Sequence, residues 1–192
     1  FTLDAGAELL DEPDFELTSF EFGAGLERVF SEELSGKVRL TYREARVEDA
    51  LGVTRFRTVT LPVTAIWDRR EDRLHPGGDF YIEAGVMPFL GFGAAGSGAR
   101  FPLDARGYRG FGADDRFVAA LRLQAGSVLG PDLAGTPRDL LFYSGGGGTV
   151  RGQDYQSLGV TALPGGVRSG GQHFFGVQAE LRSRVTERIG VV

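Results

Sequence analysis

The amino-acid sequence predicts an all-β protein, an antiparallel β-barrel that crosses a membrane. Apolar and polar side chains alternate with a period of two along most of the 192 residues, and helical spacing is absent. The alternating segments exceed the roughly five to six residues of an average soluble strand and reach the about 9 to 11 residues that a membrane-spanning strand needs. No run approaches about 18 consecutive apolar residues, so a form embedded in a membrane has to be a barrel.

Eight complete strands are expected, each with one apolar and one polar face. They are predicted at 1–10, 16–31, 37–48, 54–67, 79–92, 100–112, 116–127 and 172–185, with a ninth strand beginning at Arg188. In the last two complete strands, the alternation predicts outward-facing Phe117, Leu121, Phe175, Val177 and Leu181, and inward-facing Arg122, Gln124, Gln178, Glu180 and Arg182. The inward set is polar, which is typical of a water-filled barrel.

Aromatic residues stand near the ends of the predicted strands. The pairs are Phe20 with Phe30, Phe80 with Phe92, and Phe56 with Trp67. Aromatic girdles at both membrane interfaces are typical of outer-membrane barrels. The alternative is that these side chains form the core of a large β-sandwich, but the length of the strands favours the barrel.

The connections are predicted to alternate between the two ends of the barrel. Turns near 32–36, 68–79, 113–115 and 186–187 fall at one end, and those near 11–15, 49–53, 93–99 and the segment 128–171 fall at the other. Outer-membrane barrels keep short turns in the periplasm and long loops outside the cell. The segment 128–171, more than 40 residues without periodicity, is therefore expected to start from the extracellular side and to be functional.

Composition and motifs exclude several classes of function. A formal net charge of -5 lacks the basic excess that nucleic-acid binding needs, and there are no cysteines for disulfides or thiolate metal sites. His75 and His173 lie in unrelated segments, so no metal site is predicted. Gly91 to Gly96 match GxGxxG, but no βαβ unit follows, which indicates a glycine-rich hairpin. No nucleophile motif is present, so we expect no enzyme and no cofactor.

The long segment contains a conspicuous motif, in which Val150, Arg151 and Gly152 follow a run of four glycines. The run consists of Gly145, Gly146, Gly147 and Gly148. No Gly-Lys-Ser/Thr follows it, so a phosphate-binding loop is not indicated. Glycines allow sharp backbone turns, and a planar guanidinium can bind a carboxylate through two hydrogen bonds. Arg151 is therefore a candidate for fixing the loop to a wall.

The segment Tyr143 to Gly159 resembles loop six of the outer-membrane assembly and secretion barrels, the superfamily of BamA-like and TamA-like proteins. That loop carries a (V/I)RG(F/Y) signature, and here Gln153 replaces the aromatic residue while Tyr155 follows it. The resemblance extends over Leu141 to Leu158, Gly170 to Leu181 and the turn Asp68 to Phe80. In these segments the chain is most similar to TamA-like members.

The resemblance implies a barrel of sixteen strands preceded by periplasmic POTRA domains. Residues 1–192 are then a partial barrel domain covering about strands five to twelve, with loop six at about 128–171 and without the POTRA domains or the first and last strands. It also implies that loop six folds into the lumen and that Arg151 contacts a carboxylate of the wall, for which Glu180 is the candidate.

The resemblance further implies a non-enzymatic subunit of the bacterial outer membrane. Such a subunit inserts or secretes β-rich outer-membrane proteins such as autotransporters. Its expected partners are outer-membrane lipid, unfolded client proteins and a TamB-like inner-membrane protein. The alternatives are a two-partner secretion transporter, a passive channel, which would conduct ions without assembling clients, and a structural or adhesive surface barrel, which would lack POTRA repeats.

Overall fold

A computed structural model describes residues 1–12, 15–49, 52–161, 168–184 and 190–191. The strands are β1 (Thr2–Glu12), β2 (Phe15–Val29), β3 (Leu34–Asp49), β4 (Gly52–Thr60), β5 (Val63–Asp68), β6 (Phe80–Gly93), β7 (Gly98–Phe111), β8 (Phe117–Leu129), β9 (Val160–Thr161), β10 (Arg168–Ser169), β11 (His173–Arg184) and β12 (Gly190–Val191). Single 3-10 turns occupy Ala113–Asp115 and Arg138–Leu140. Within these ranges, no helix has the length and apolar character that a membrane crossing requires.

Ten of the strands form one antiparallel sheet, which confirms the predicted fold class. The order is β1-β2-β3, then β4 and β5, then β6-β7-β8-β11-β12. Strands β4 and β5 lie end to end, and each of them pairs with β3 on one side and β6 on the other. Strands β9 and β10 pair only with each other. The eight predicted complete strands all occur, with ends displaced by a few residues. The predicted start of the ninth strand at Arg188 and the turn at 186–187 lie outside the described residues.

The predicted strand 54–67 is interrupted between β4 and β5, because Pro62 has no N–H for the ladder. The register on both neighbours is unbroken across the gap, since Thr60 pairs with Thr41 and Val63 pairs with Val38. The remaining backbone groups stay bonded: Leu61 N–H donates to Pro88 O, and Arg39 N–H donates to Pro62 O, each at 3.0 Å. The two segments therefore act as one strand of the sheet.

One end of the sheet carries the connections at 30–33, 69–79 and 112–116, and the other carries 94–97 and residues 130–172. We call the described residues of this connection, 130–161 and 168–172, the long loop. It lies on one face of the sheet, the loop face, and the opposite side is the outer face. The assigned faces of β8 and β11 are confirmed: Leu121, Phe175 and Leu181 are exposed on the outer face, and Arg122 contacts the long loop.

The outer face carries an apolar band whose height fits a membrane. On β2 the outer positions from Phe20 to Phe30, which are apolar except for Arg28, span about 33 Å along the chain at about 3.3 Å per residue. A tilt of about 40° reduces this to about 25 Å, the height of the apolar band of outer-membrane barrels. Toward the long-loop end, the outer positions of β3 become charged, with Glu44, Arg46 and Glu48.

One predicted aromatic pair is wrong. Trp67 is 45% exposed on the outer face, but Phe56 is 2% exposed and lies on the loop face beside Ala45 and Gly93. An even and an odd position in one unbroken register point to opposite faces of a strand, so these two rings could not share a face. Phe56 belongs to the core under the long loop.

Candidate functional site

The long loop doubles back as an irregular hairpin over the loop face. Phe142 pairs with Gly171, and Ser144 pairs with Leu158, as isolated antiparallel bridges. The N–H of Phe142 donates to Gly171 O at 2.9 Å, and the N–H of Leu158 donates to Ser144 O at 3.0 Å. The loop therefore has a defined base near the sheet end and a defined tip at the glycine-rich motif.

The base of the long loop covers two apolar clusters. The first consists of Phe15, Leu17, Ala45, Val47, Phe56 and Ala95, with Tyr143 of the loop packed against it. The second consists of Phe89, Val128 and Leu140, with Met87 and Phe142 at its edge. Burial of these side chains is worth about 25 cal/mol per Å² of apolar surface. Hydrophobic packing thus fixes the base of the loop without help from the tip.

Phe142 occupies a slot that a glycine leaves open. A Cβ on Gly126 of β8 would lie 2.2 Å from the Phe142 ring. The ring is stacked against Phe174 with centroids 6.3 Å apart, and the Arg100 guanidinium lies 4.3 Å from its centroid. Arg100 Nε also donates to Leu140 O at 3.0 Å. Gly126 is therefore a docking position for the loop.

Two ion pairs tie the base of the loop to β3, and sequence reasoning missed both. Arg138 Nε lies 2.9 Å from Asp49 Oδ2, with side chains only 5% and 4% exposed. Asp139 Oδ2 lies 2.5 Å from Arg43 Nη1. The loop has no periodicity that would reveal these residues, and their partners are 89 and 96 positions away. The only signal in the sequence is a pair of adjacent charges inside an aperiodic segment.

Asp139 is expected to respond to pH in an unusual direction. Burial raises the pKa of the Asp139 carboxyl above its ordinary value of 3.8, against the opposing effect of Arg43. A carboxyl group whose pKa is higher in the folded state than in the unfolded state stabilises the fold when it is protonated. This contribution is fully present below the unfolded-state pKa and is lost as the pH rises through the folded-state pKa. Acidification from about pH 7 to about pH 4 should therefore stabilise wild type relative to Asp139→Asn. The measurement is urea unfolding of both proteins at each pH.

The comparison with Asp139→Asn cancels the contribution of the other carboxyl groups to the pH dependence of stability, because both proteins contain them. At neutral pH the variant should be within about 1 kcal/mol of wild type, because Arg43 keeps its hydrogen bonds to Glu8 at 2.7 Å and Ser19 at 2.9 Å. If wild type instead loses stability relative to the variant on acidification, the ion pair with Arg43, and not burial, determines the pKa of the Asp139 carboxyl.

The tip of the long loop is shaped by three glycines in the left-handed region. Gly145, Gly146 and Gly152 have φ angles of 110°, 85° and 87°, which side chains rarely adopt. Gly147 and Gly148 have no such φ, and a Cβ on either would meet nothing within 4 Å. Two of the four consecutive glycines are therefore required by the turn, and the other two are not.

The tip contacts the strands β8 and β11 through side chains of the wall. Arg151 Nη1 lies 3.0 Å from Glu180 Oε1, and Arg182 Nη2 lies 3.1 Å from Glu180 Oε2. The wall also binds the loop backbone, since Arg122 Nη1 donates to Gly148 O at 3.0 Å and Gln178 Nε2 donates to Thr149 O. Arg151 is 68% exposed, so its pair alone is worth about 0–1 kcal/mol.

The residues around Arg151 differ in whether they contact the wall. Val150 is 41% exposed. Gln153 accepts a hydrogen bond through its backbone oxygen from Gly146 N–H at 3.0 Å. Tyr155, which follows the position of the missing aromatic residue, packs beside Gly146 and donates its hydroxyl to Glu12 at 3.3 Å. The tip is thus linked to β1 as well as to β11.

In the part of the chain that the structure describes, the site shows no cluster of metal-ligating side chains. The tip instead closes over a polar recess of about 140 Å³, lined by the guanidinium groups of Arg106, Arg122, Arg151 and Arg182 and by Glu180. Its chemistry is ion pairing and hydrogen bonding between a loop and a wall.

The sheet has a membrane-height apolar band, a polar opposite face and a long loop bound to that polar face. These features are those of an outer-membrane β-barrel wall. The model of the Omp85 superfamily domain matches residues 3–192, and the chain belongs to this superfamily. Members of the superfamily are non-enzymatic proteins of the bacterial outer membrane that assemble or secrete other proteins. A comparison with curated proteins found no match.

Proposed function

We propose that this chain is the barrel part of a TamA-like subunit, which inserts or secretes β-rich outer-membrane proteins such as autotransporters. The single observation that carries the proposal is the contact of the Val150-Arg151-Gly152 loop with the wall at Glu180. Counting from this loop as loop six assigns the strands from β1 to β11 to about strands five to twelve of the family barrel. A TamB-like inner-membrane protein is the proposed partner.

The proposed role of the long loop is to brace the barrel wall while the protein handles an unfolded client. Lipid cannot satisfy the backbone groups of an unpaired strand, so a client strand needs a strand edge with which to pair. An opening wall has to keep its shape during that exchange. The loop connects β3, through Asp49, with β11, through Glu180, so it links distant parts of the sheet directly.

The proposal is tested by Arg151→Ala in the complete protein, reconstituted in lipid vesicles with an unfolded autotransporter client. The barrel should stay folded, because the buried base still anchors the loop. The rate of client assembly should fall by up to about fivefold, as expected for the loss of an exposed ion pair of about 1 kcal/mol. Glu180→Gln should have a similar effect, and the double variant should be no worse than either single variant.

Arg46→Ala is the matched control, since Arg46 forms an exposed pair with Glu48 on the outer face, away from the loop, with side chains 48% and 51% exposed. Assembly at the wild-type rate in Arg151→Ala would remove the bracing role. The passive channel would be favoured instead if wild type conducts ions steadily with or without client and assembles no client.

A further inference from the structure

The outer face contains an apolar trough along β7. Its floor is formed by Ala105 and Gly107, and its sides are formed by the larger side chains of Phe80 on β6 and Leu121 on β8. Phe80, Gly107 and Leu121 are paired across the three strands, so the trough lies between two ridges at one level of the sheet. Its volume is about 550 Å³, and a Cβ on Gly107 would meet nothing within 4 Å.

An arginine stands at the end of the trough that faces the short turns. Arg109 is exposed, lies on the same face of β7 as Gly107, and lines the trough. Within the described ranges it has no ion pair and no side-chain hydrogen bond. Phe111 and Phe117 stack beyond it toward the turn, with ring centroids 5.6 Å apart. A guanidinium is thus held just inside the aromatic level of the membrane-facing surface.

The charged residues of the adjoining turn that the structure describes, Asp115 and Arg116, do not neutralise Arg109. Asp115 lies over Gly110, because its Oδ1 is 2.6 Å from the place of a Cβ there, and Gly110 faces the opposite side of β7 from Arg109. Arg116 adds a second positive charge, with its guanidinium 5.9 Å from the centroid of the Phe117 ring. The end of the trough therefore presents positive charge on a surface that faces lipid.

We infer that this trough binds one phospholipid of the periplasmic leaflet. An acyl chain lies along Ala105 and Gly107, and the phosphate accepts hydrogen bonds from Arg109. The apolar sides suit a hydrocarbon chain, and a planar guanidinium suits a phosphate, which can accept two parallel hydrogen bonds from it. Long arginine side chains near a membrane interface direct their charge toward the headgroups, so both parts of one lipid are satisfied by adjacent residues.

The inference depends on the membrane placement of the sheet and not on the proposed handling of clients. It is tested by native mass spectrometry of the complete protein in mild detergent, titrated with phosphatidylglycerol. Wild type should bind one lipid, and Gly107→Leu, which fills the trough, and Arg109→Gln, which removes the charge, should each weaken binding by about tenfold. Glycerol 3-phosphate, which has no acyl chain, should not bind.

The matched control is Arg28→Gln, because Arg28 is also on the outer face but lies 5.4 Å from the centroid of the Phe30 ring and borders no such trough. It should bind phosphatidylglycerol as wild type does. Unchanged binding by Gly107→Leu and Arg109→Gln, or an equal loss in Arg28→Gln, would overturn the site. Dimers that dissociate on Gly107→Leu would show that a second copy of the chain fills the trough.

Discussion

Replacing Arg138 by methionine is expected to lower the free energy of unfolding of the complete protein by about 3–5 kcal/mol. The substitution removes the Arg138 guanidinium from the Asp49 carboxylate, which is only 4% exposed. It also removes the hydrogen bond at 3.0 Å from Arg138 Nη1 to Leu133 O. Urea unfolding in lipid vesicles measures the loss, and limited proteolysis between Leu133 and Tyr143 should show that the loop base has detached.

Two further variants separate the buried pair from a general effect of losing an arginine. Arg46→Met breaks an exposed pair with Glu48 and should cost at most about 1 kcal/mol. Adding Asp49→Asn to Arg138→Met removes the buried charge and should recover part of the stability. An Arg138→Met protein no less stable than Arg46→Met would contradict the anchoring role assigned to Arg138.

Gly126→Ala is expected to destabilise the folded protein by about 1–3 kcal/mol through overpacking. The added methyl group would lie 2.2 Å from the Phe142 ring, so the ring has to leave its place between Phe174 and the Arg100 guanidinium. Urea unfolding measures the change in stability. Displacement of the loop base is detected by its accessibility to protease, because the fluorescence of Phe142 is too weak to report on the position of the loop.

Gly107→Ala is the matched control, since Gly107 lies on the adjacent strand and a Cβ there meets nothing within 4 Å. Its effect should be within about 0.5 kcal/mol. Combining Gly126→Ala with Phe142→Leu should recover stability relative to Gly126→Ala alone, because the smaller side chain relieves the clash. Equal effects of the two alanine substitutions would show that Phe142 does not need the slot at Gly126.

The strands were predictable because a period of two records which side of a sheet each residue faces. The break at Pro62 was not predicted, although a proline within a strand cannot donate to the ladder. The error at Phe56 has a different cause: the nearness of an aromatic residue to a strand end does not determine its face, and positions 56 and 67 differ by an odd number, so their side chains point to opposite faces. At the tip, the short motif indicated Arg151 as a candidate, and its contact with Glu180 was an expectation that came from the family resemblance.

The base of the long loop could not be predicted from local pattern. Arg138 and Asp139 lie in a segment without periodicity, and their partners Asp49 and Arg43 are far away in the chain. The charge of Asp49, at the last position of β3, is consistent with a solvated strand end until the loop is placed over it. Such contacts depend on the whole sheet and leave little trace in any one stretch of sequence.

The position of the base pairs also determines when the loop can settle during folding. Contacts between residues 89 and 96 positions apart require the closure of long stretches of chain, which is slow compared with the formation of neighbouring hairpins. The docking surface for Arg138 and Asp139 exists only after β2, β3 and β4 have assembled. The long loop is thus expected to dock only after the strands that form this surface have paired.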